Sequence, residues 1–433
     1  MIKRYVRIIF INIGLLAAGV AQTNPATGKP PAVAHGVSNQ FEQVDGFPVF
    51  DTRTISVANG VPYYEPAEIT VEVGDVVRWI NQPLSDAHTI IDTSGRFSSR
   101  AVPAGEAYCH HFIKAGDYDY SCRFHPWMKG VVHVQRRELS LVPISELTDG
   151  ATVARRAMFL RLNPEAIEDG EGGFWLPGAQ LTTLEHRTLE QNQGENLIVH
   201  GAGGRLVPLV ASGDQLMVAM YGELLVIDPS SAKVLQHFQL PQEVNLARGA
   251  MFGDGQLWAA ADNGKNLVFA DTVNKIVRTR MLPDDARIVA LRSGTPGTVW
   301  ALDAGRRMLL KLGADWISEI PLPSTVSNAA SLAIDREDHP WFADPHSGVA
   351  GTVVSGGQIA EFSIPANETS GLLQISGLLR PLLSISPASE KIAVVDEELG
   401  RRLSAAQRGP DCENPRGLDI KQKAEIGEPR RPQ

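Results

Sequence analysis

The chain has 433 residues, of which 43% are hydrophobic, 21% charged and 6% aromatic, with a formal charge of −9 and three cysteines, Cys109, Cys122 and Cys412. An apolar share near the globular average with both charge signs present excludes a disordered or collagen-like chain, and three cysteines exclude a disulfide-built scaffold. The 40 glycines and 28 prolines predict many turns and much strand, in a length that suits two or three cores.

Residues 1–21 read as a secretory signal peptide: basic MIKRYVR, apolar IIFINIGLLAAG, then VA ending at Ala21. The apolar stretch is short of the roughly 20 residues that span a bilayer, and no later segment is apolar enough to do so, so no membrane span is expected after signal removal. Lys3, Arg4 and Arg7 leave with the signal, so 37 basic residues face 49 acidic ones and the formal charge becomes −12. Such a chain has no electrostatic reason to bind nucleic acid or an anionic membrane, and its expected place is the periplasm or the medium. Residues 22–46, rich in Pro, Gly and small polar side chains, read as a flexible leader.

From 47 to 137 short alternating runs separated by Gly and Pro turns predict a small β-sandwich: TISV at 54–57, EITVEV at 68–73, VVRWI at 76–80, DYDYSC at 117–122 and GVVHV at 130–134. Residues 122–128 read CRFHPWM, a Cys-x2-His-x2-Met loop after one strand and before another, with His88 upstream. Two imidazoles, a thiolate and a weak thioether are the donor set of a type 1 copper site, which predicts one copper on His88, Cys122, His125 and axial Met128. Three ligands on one tight loop and one on a neighbouring strand end let a rigid sandwich hold a geometry between those of the two copper oxidation states. A zinc site would bring more Cys or His and no Met.

Residues 63–134 resemble the amicyanin and plastocyanin family of cupredoxins. The resemblance rests on Tyr64, on PAEITVEVGDVVRWIN at 66–81, on His88, on GEAYCHHFIKAGDYDYSC at 105–122 and on HPWMKGVVHV at 125–134. It implies an eight-stranded Greek-key sandwich, a mononuclear type 1 copper and one-electron transfer through the edge of His125. One departure is Thr89, where many members carry an Asn that helps hold the ligand loops and the surroundings of the thiolate. His110 shares a side of its predicted strand with Tyr108 and Phe112, and His111 and Cys109 point the other way. A second metal site on His110, His111 and His133 is the alternative to solvated or core-satisfied histidines. Cys109 and Cys412 remain for a disulfide that would pin the tail to the copper domain.

After a linker at 138–164 the chain turns repetitive from 165 to 405, and 406–433 read as a disordered tail. Trp175, Met217, Trp258, Trp300 and Trp341 recur at steps of 42, 41, 42 and 41 residues, and LP or IP at 240, 282, 322 and 364 recur at 42, 40 and 42. Units of about 41 residues with several short strands are propeller blades, since one small sheet cannot bury both faces alone. Six units are countable, the sixth taken at IAVV, 392–395, with room for a seventh at 135–165. The expected class is all-β: a cupredoxin sandwich followed by a six- or seven-bladed propeller. GDGQLWAAAD at 253–262, TVWALD at 298–303 and HPWFAD at 339–344 resemble the streptogramin lyase-like group. In that group a histidine base and a magnesium held by glutamates do the work; here Asp262, Asp303, Asp344 and Asp396 recur once per unit, which suits turn caps. His339 and His346 are the candidates for a small polar site.

These readings predict an exported one-electron carrier rather than a catalyst, with the propeller as a docking module. The expected partner is a redox protein, a cytochrome c or a periplasmic dehydrogenase or oxidase, meeting an apolar patch at Trp127 and steered by acidic charge. The alternatives are a lyase-like propeller with the copper domain as redox accessory, and copper storage or sensing.

Overall fold

The computed structural model describes residues 40–42 and 51–395, apart from 140, 148, 191–193, 242–243, 336, 355–356, 365–368, 374–381 and 386–390. The predicted signal peptide, most of the leader, the tail, Asp396 and Cys412 lie outside the described residues. No helix among the described residues is long and apolar enough to cross a membrane.

Nine strands form two facing sheets. These are β1 (Gln40–Glu42), β2 (Thr52–Val57), β3 (Tyr64–Glu65), β4 (Glu68–Glu72), β5 (Val76–Asn81), β6 (Ile91–Asp92), β7 (Ala107–His111), β8 (Gly116–Ser121) and β9 (Lys129–Gln135). One sheet has the order β1-β7-β5-β2-β3 and the other β4-β9-β8-β6. The alternation that predicts these strands also sets their faces: Tyr118 and Tyr120 of β8 and Gly130, Val132 and Val134 of β9 turn inward, with more exposed residues between. Trp79 on β5 is fully buried at the centre, its ring 5.4–6.5 Å from those of Phe97, Tyr108, Phe112 and Tyr120. Gly130 follows from this packing, because a Cβ there would strike the Tyr120 ring.

The sandwich has two distinct ends. The β8–β9 loop carrying Cys122 to Met128 closes one; the β4–β5 turn closes the other, where Val73 donates its N–H to the Gln135 carbonyl at 2.9 Å. Just past β9, Arg137 grips that far turn, with Nε on the Val73 carbonyl at 3.1 Å and ion pairs to Glu72 at 2.9 Å and Asp75 at 2.5 Å. Arg137 also begins β10 (Arg137–Glu138), which adds in parallel to Ile359–Ser363 of the propeller. Leu139 N–H then donates to the Ser363 carbonyl at 2.8 Å. One apolar cluster contains both the sandwich core and Leu139, Trp341 and Phe362. β11 (Leu141–Pro143) pairs with Lys391–Val395 at the other end of the repeat. A helix, α1 (Gly150–Leu162), follows, rich in Ala, Arg, Met and Leu; its Phe159 ring lies 4.3 Å from that of Phe174.

Six sheets make up the repeat among the described residues, antiparallel meanders of the kind that a propeller stacks, the fifth extended in parallel by β10 and the sixth completed by β11. The markers Trp175, Met217, Trp258, Trp300 and Trp341 all fall in second strands: Gly173–Pro177, Gln215–Met220, Gln256–Ala261, Val299–Asp303 and Pro340–Asp344. Apolar clusters fill the spaces between successive sheets. The sixth marker needs correcting. IAVV belongs to the third strand, Lys391–Val395, and the second is Leu382–Ile385, so Leu383 falls 42 residues after Trp341. The step is regular; the aromatic that would announce it is missing. Within 135–165, Arg137–Glu138 and Leu141–Pro143 join the fifth and sixth sheets.

Two of the recurring aspartates are buried caps. Asp303 accepts from the backbone N–H of Arg287, Gly305 and Arg306 and from the Arg306 guanidinium; Asp344 accepts from the N–H of Ser327, Asn328, His346 and Ser347. Each ties the end of a second strand to the segment leading into the first. Asp262 lies four residues beyond its Trp rather than three, so Ala261 takes the buried position and Asp262 is exposed. Burial pushes the Asp344 carboxyl up, but the hydrogen bonds from Asn328, Ser347 and Ser327 outweigh it and bring the pKa down to about 2. A depressed carboxyl stabilises the fold above its unfolded value and stops doing so as pH falls through the folded one. We expect Asp344→Asn to lower stability by roughly 2 kcal/mol at neutral pH. The difference from wild type should shrink between about pH 4 and pH 2, read by urea unfolding; a gap that stays constant over that window excludes the role.

Candidate metal centre

His88 stands at the head of the segment leading to β6, bridged through its backbone to Val102 at 3.1 and 2.7 Å, and Cys122 follows β8 directly. His125 sits three residues into the tight loop that Met128 closes. Met128 donates its N–H to the His125 carbonyl at 2.9 Å and accepts at its own carbonyl from Cys122 N–H at 3.2 Å. The fold thereby brings three donor atoms together. Cys122 Sγ lies 3.8 Å from His88 Nδ1 and 3.7 Å from His125 Nδ1, and the two nitrogens are 3.2 Å apart. Bonds of about 2.0–2.3 Å to nitrogen and sulfur place the ligands of a single ion about 3–4 Å from one another. This trio therefore has the spacing of a metal-binding triangle. Met128 is buried in the same apolar cluster as Cys122.

The nitrogens are set for the task. His88 Nε2 is 3.0 Å from Asn59 Oδ1 and 2.9 Å from Ser85 Oγ. Asn59 Oδ1 also accepts from Ser85 Oγ at 2.8 Å and from Asp86 N–H at 3.0 Å. With Nε2–H donated to Asn59, the lone pair is left on Nδ1, facing Cys122 and His125. Burial, then the neighbouring His125, lower the His88 pKa, so the ring stays neutral and able to ligate. Asn59 is a residue that pattern reading misses: it lies on a loop 29 positions from the imidazole it orients, and no motif spans that gap. Asn59→Ala should weaken metal binding about 10–100-fold with the fold intact, measured by competition with a chelator; unchanged affinity would remove Asn59 from the site.

Thr89 fills the place of the absent Asn. Its backbone N–H lies 3.4 Å from Cys122 Sγ and its hydroxyl 3.7 Å, while that same hydroxyl accepts from Arg123 N–H at 2.7 Å. It thus ties the His88 segment to the Cys122 loop and directs two donors at the sulfur. Cys122 is free, whereas Cys109 is disulfide-bonded.

Exposed aromatic and aliphatic side chains flank this centre, with Arg123 on its loop and Lys129 just after it also exposed. His125 is partly exposed, its ring 5.4 Å from Trp127; Trp127 and Phe124 are 62% and 53% exposed. Val61 and Leu84, on the two loops that Asn59, Ser85 and Asp86 join, are 82% and 98% exposed.

Among the described residues, His110, His111 and His133 do not come together as a metal-holding group. His110 stacks on Phe97 at 4.4 Å and meets Phe112 edge-on at 4.7 Å, as expected of a core position. His111 Nε2 is 3.1 Å from the Gly74 carbonyl, and His133, on the other sheet, pairs with Asp117 at 2.7 Å. In the propeller, Asp335, Glu337 and His339 approach one another, but Asp335 is occupied by His339 Nδ1 at 3.2 Å and Trp341 Nε1 at 2.9 Å. His346 contributes its backbone N–H to the Asp344 cap.

No protein-family model matches the chain. Over 76 residues it is 37% identical to amicyanin of Paracoccus denitrificans, a match covering 17% of this chain and 58% of that protein. The chain thus spans little more than half of the amicyanin's length. Plastocyanin of Scenedesmus fuscus is 28% identical over 96 residues, 19% of this chain and 98% of that one. Among solved structures, a virginiamycin B lyase from Staphylococcus aureus superposes with a TM-score of 0.44 at 10% identity, over 74% of this chain and 98% of the lyase.

Proposed function

We propose that this chain, which joins a cupredoxin domain to a β-propeller, is an exported carrier of single electrons. The observation that carries the reading is the triangle of His88 Nδ1, Cys122 Sγ and His125 Nδ1, closed by the loop that Met128 ends. A copper ion held there supplies a one-electron couple. His88 and His125 would provide the nitrogen donors, Cys122 the thiolate and Met128 a weak thioether donor. The donors that Thr89 directs at the Cys122 sulfur stabilise its negative charge and so favour the reduced state. His88 is held by its backbone bridge to Val102 and His125 by the loop that the Cys122 and Met128 backbone hydrogen bonds close, so little rearrangement would accompany a change of oxidation state.

His125 is the ligand that reaches the surface, and the exposed Phe124 and Trp127 form an apolar rim on which a redox partner docks. The partner is a cytochrome c or a periplasmic dehydrogenase or oxidase, a basic one being drawn in by the acidic charge of the chain. The propeller serves as the docking module to which Arg137 and β10 fix the carrier.

The experiment is a copper titration of the purified protein followed in the visible range. One equivalent should raise an intense charge-transfer band that a one-electron reductant bleaches and an oxidant restores. A colourless adduct, or a band that does not cycle, overturns the proposal.

A further inference from the structure

The propeller holds two cations that its packing does not call for. Arg248 lies on Leu246–Gly253 and Arg292 on Ile288–Ser293, the first strands of two successive sheets, and these strands lie against one another. The repeat shows what such positions need. Arg292 stands opposite Trp300, where the equivalent residues are Val210 opposite Met217, Ala250 opposite Trp258 and Ala333 opposite Trp341. Arg248 stands opposite Ala260, and its equivalents are Ala290 opposite Leu302 and Ser331 opposite Ala343. Sheet stacking is satisfied elsewhere by small or apolar side chains at both places.

Nor do the two arginines find counter-charges. Arg248 Nη1 donates to the Ile288 carbonyl at 3.1 Å and Arg292 Nη1 to the Leu291 carbonyl at 2.8 Å, while Arg292 Nε is buried with no partner. No carboxylate among the described residues acts on either. Burial lowers the basicity of both, and Arg248 adds repulsion on Arg292. Partly buried like charges without a counter-ion weigh against a fold. Other sheets fill these positions with Ala, Val or Ser, so two charges there call for a counter-ion.

We propose that Arg248 and Arg292 bind a small oxyanion, a phosphate or a carboxylate group, among the first strands of the propeller. Guanidinium groups present paired N–H donors in the planar fork that such oxygens accept, and two of them bridge one oxyanion without needing an acidic neighbour. First strands line the central channel of a propeller, which gives a small ligand a way in. The site is separate from the metal centre and stands or falls without it.

The test is thermal unfolding of the purified protein at constant ionic strength in sodium phosphate, sodium acetate or sodium chloride. Phosphate or acetate should raise the melting temperature with a saturating dose dependence, the stronger of the two identifying the headgroup, and chloride should not. Arg292→Ala and Arg248→Ala, each the residue that the repeat uses elsewhere, should abolish that rise while leaving the ligand-free melting temperature equal or higher. Arg292→Lys, which keeps charge but not the fork, should need at least about tenfold more anion for half the effect. No rise in wild type, an equal rise in all three salts, or a rise that survives both alanine variants overturns the site. So does a fall in ligand-free stability in either alanine variant, which would make the arginines structural.

Discussion

Cys122→Ser should yield a folded protein that shows no intense visible band with copper and does not cycle between oxidation states. The substitution is nearly isosteric, and what holds the loop is mostly backbone: Cys122 N–H on the Met128 carbonyl and Met128 N–H on the His125 carbonyl. The fold therefore has little to lose. The chemistry loses its one anionic ligand, because a serine hydroxyl does not ionise near neutral pH as a thiol does in a metal site. Affinity should fall by more than the roughly 10–100-fold that an outer-shell change costs. Absorption and electron paramagnetic resonance of the copper-loaded variant are the readouts, and a band unchanged from wild type would remove Cys122 from the site.

A larger loss of stability is expected at Trp79. Trp79→Ala empties the centre of the sandwich, where the indole meets four other rings. Truncations of this size cost about 3–5 kcal/mol, a large share of the roughly 5–15 kcal/mol that holds a domain together. Tyr120, one of those four rings, stands two residues before Cys122 on β8, so copper binding should weaken along with the sandwich. Urea unfolding followed by the visible band should shift to a markedly lower midpoint, and an unshifted midpoint would mean that the cavity collapses without penalty.

Much of this was legible in the residues because their spacing is the structure. The period of β-strands places Tyr118, Tyr120, Val132 and Val134 inside, and the steps of 41 and 42 residues locate a second strand in five successive sheets. Cys122, His125 and Met128 can be read together because one short loop holds all three. What eluded reading depends on contacts across the fold. Leu383 continues the repeat without an aromatic to mark it. Asp262 resembles Asp303 and Asp344, yet one residue of offset along a strand turns it from a buried cap into a surface side chain. Asn59 and Ser85 reach His88 through space, and Thr89 replaces a different residue type by using its backbone as much as its side chain. Residues 138–164 look like a connector because β10 and β11 are too short for periodicity to register. Their partners lie more than 200 positions further along.

The single strand β9 runs from the ligand loop to the Arg137 grip, seven residues and about 23 Å. Because Arg137 holds the far turn by Val73, Glu72 and Asp75, the distance between His125 and the nearest blade is built in, and on the proposed reading it would govern avidity. A partner that touches both His125 and the propeller gains from the second contact at high effective concentration only if its own surface bridges that span. On the proposed reading, a smaller redox protein would dock on one or the other, and the propeller would then hold it no closer to a bound copper than free diffusion does.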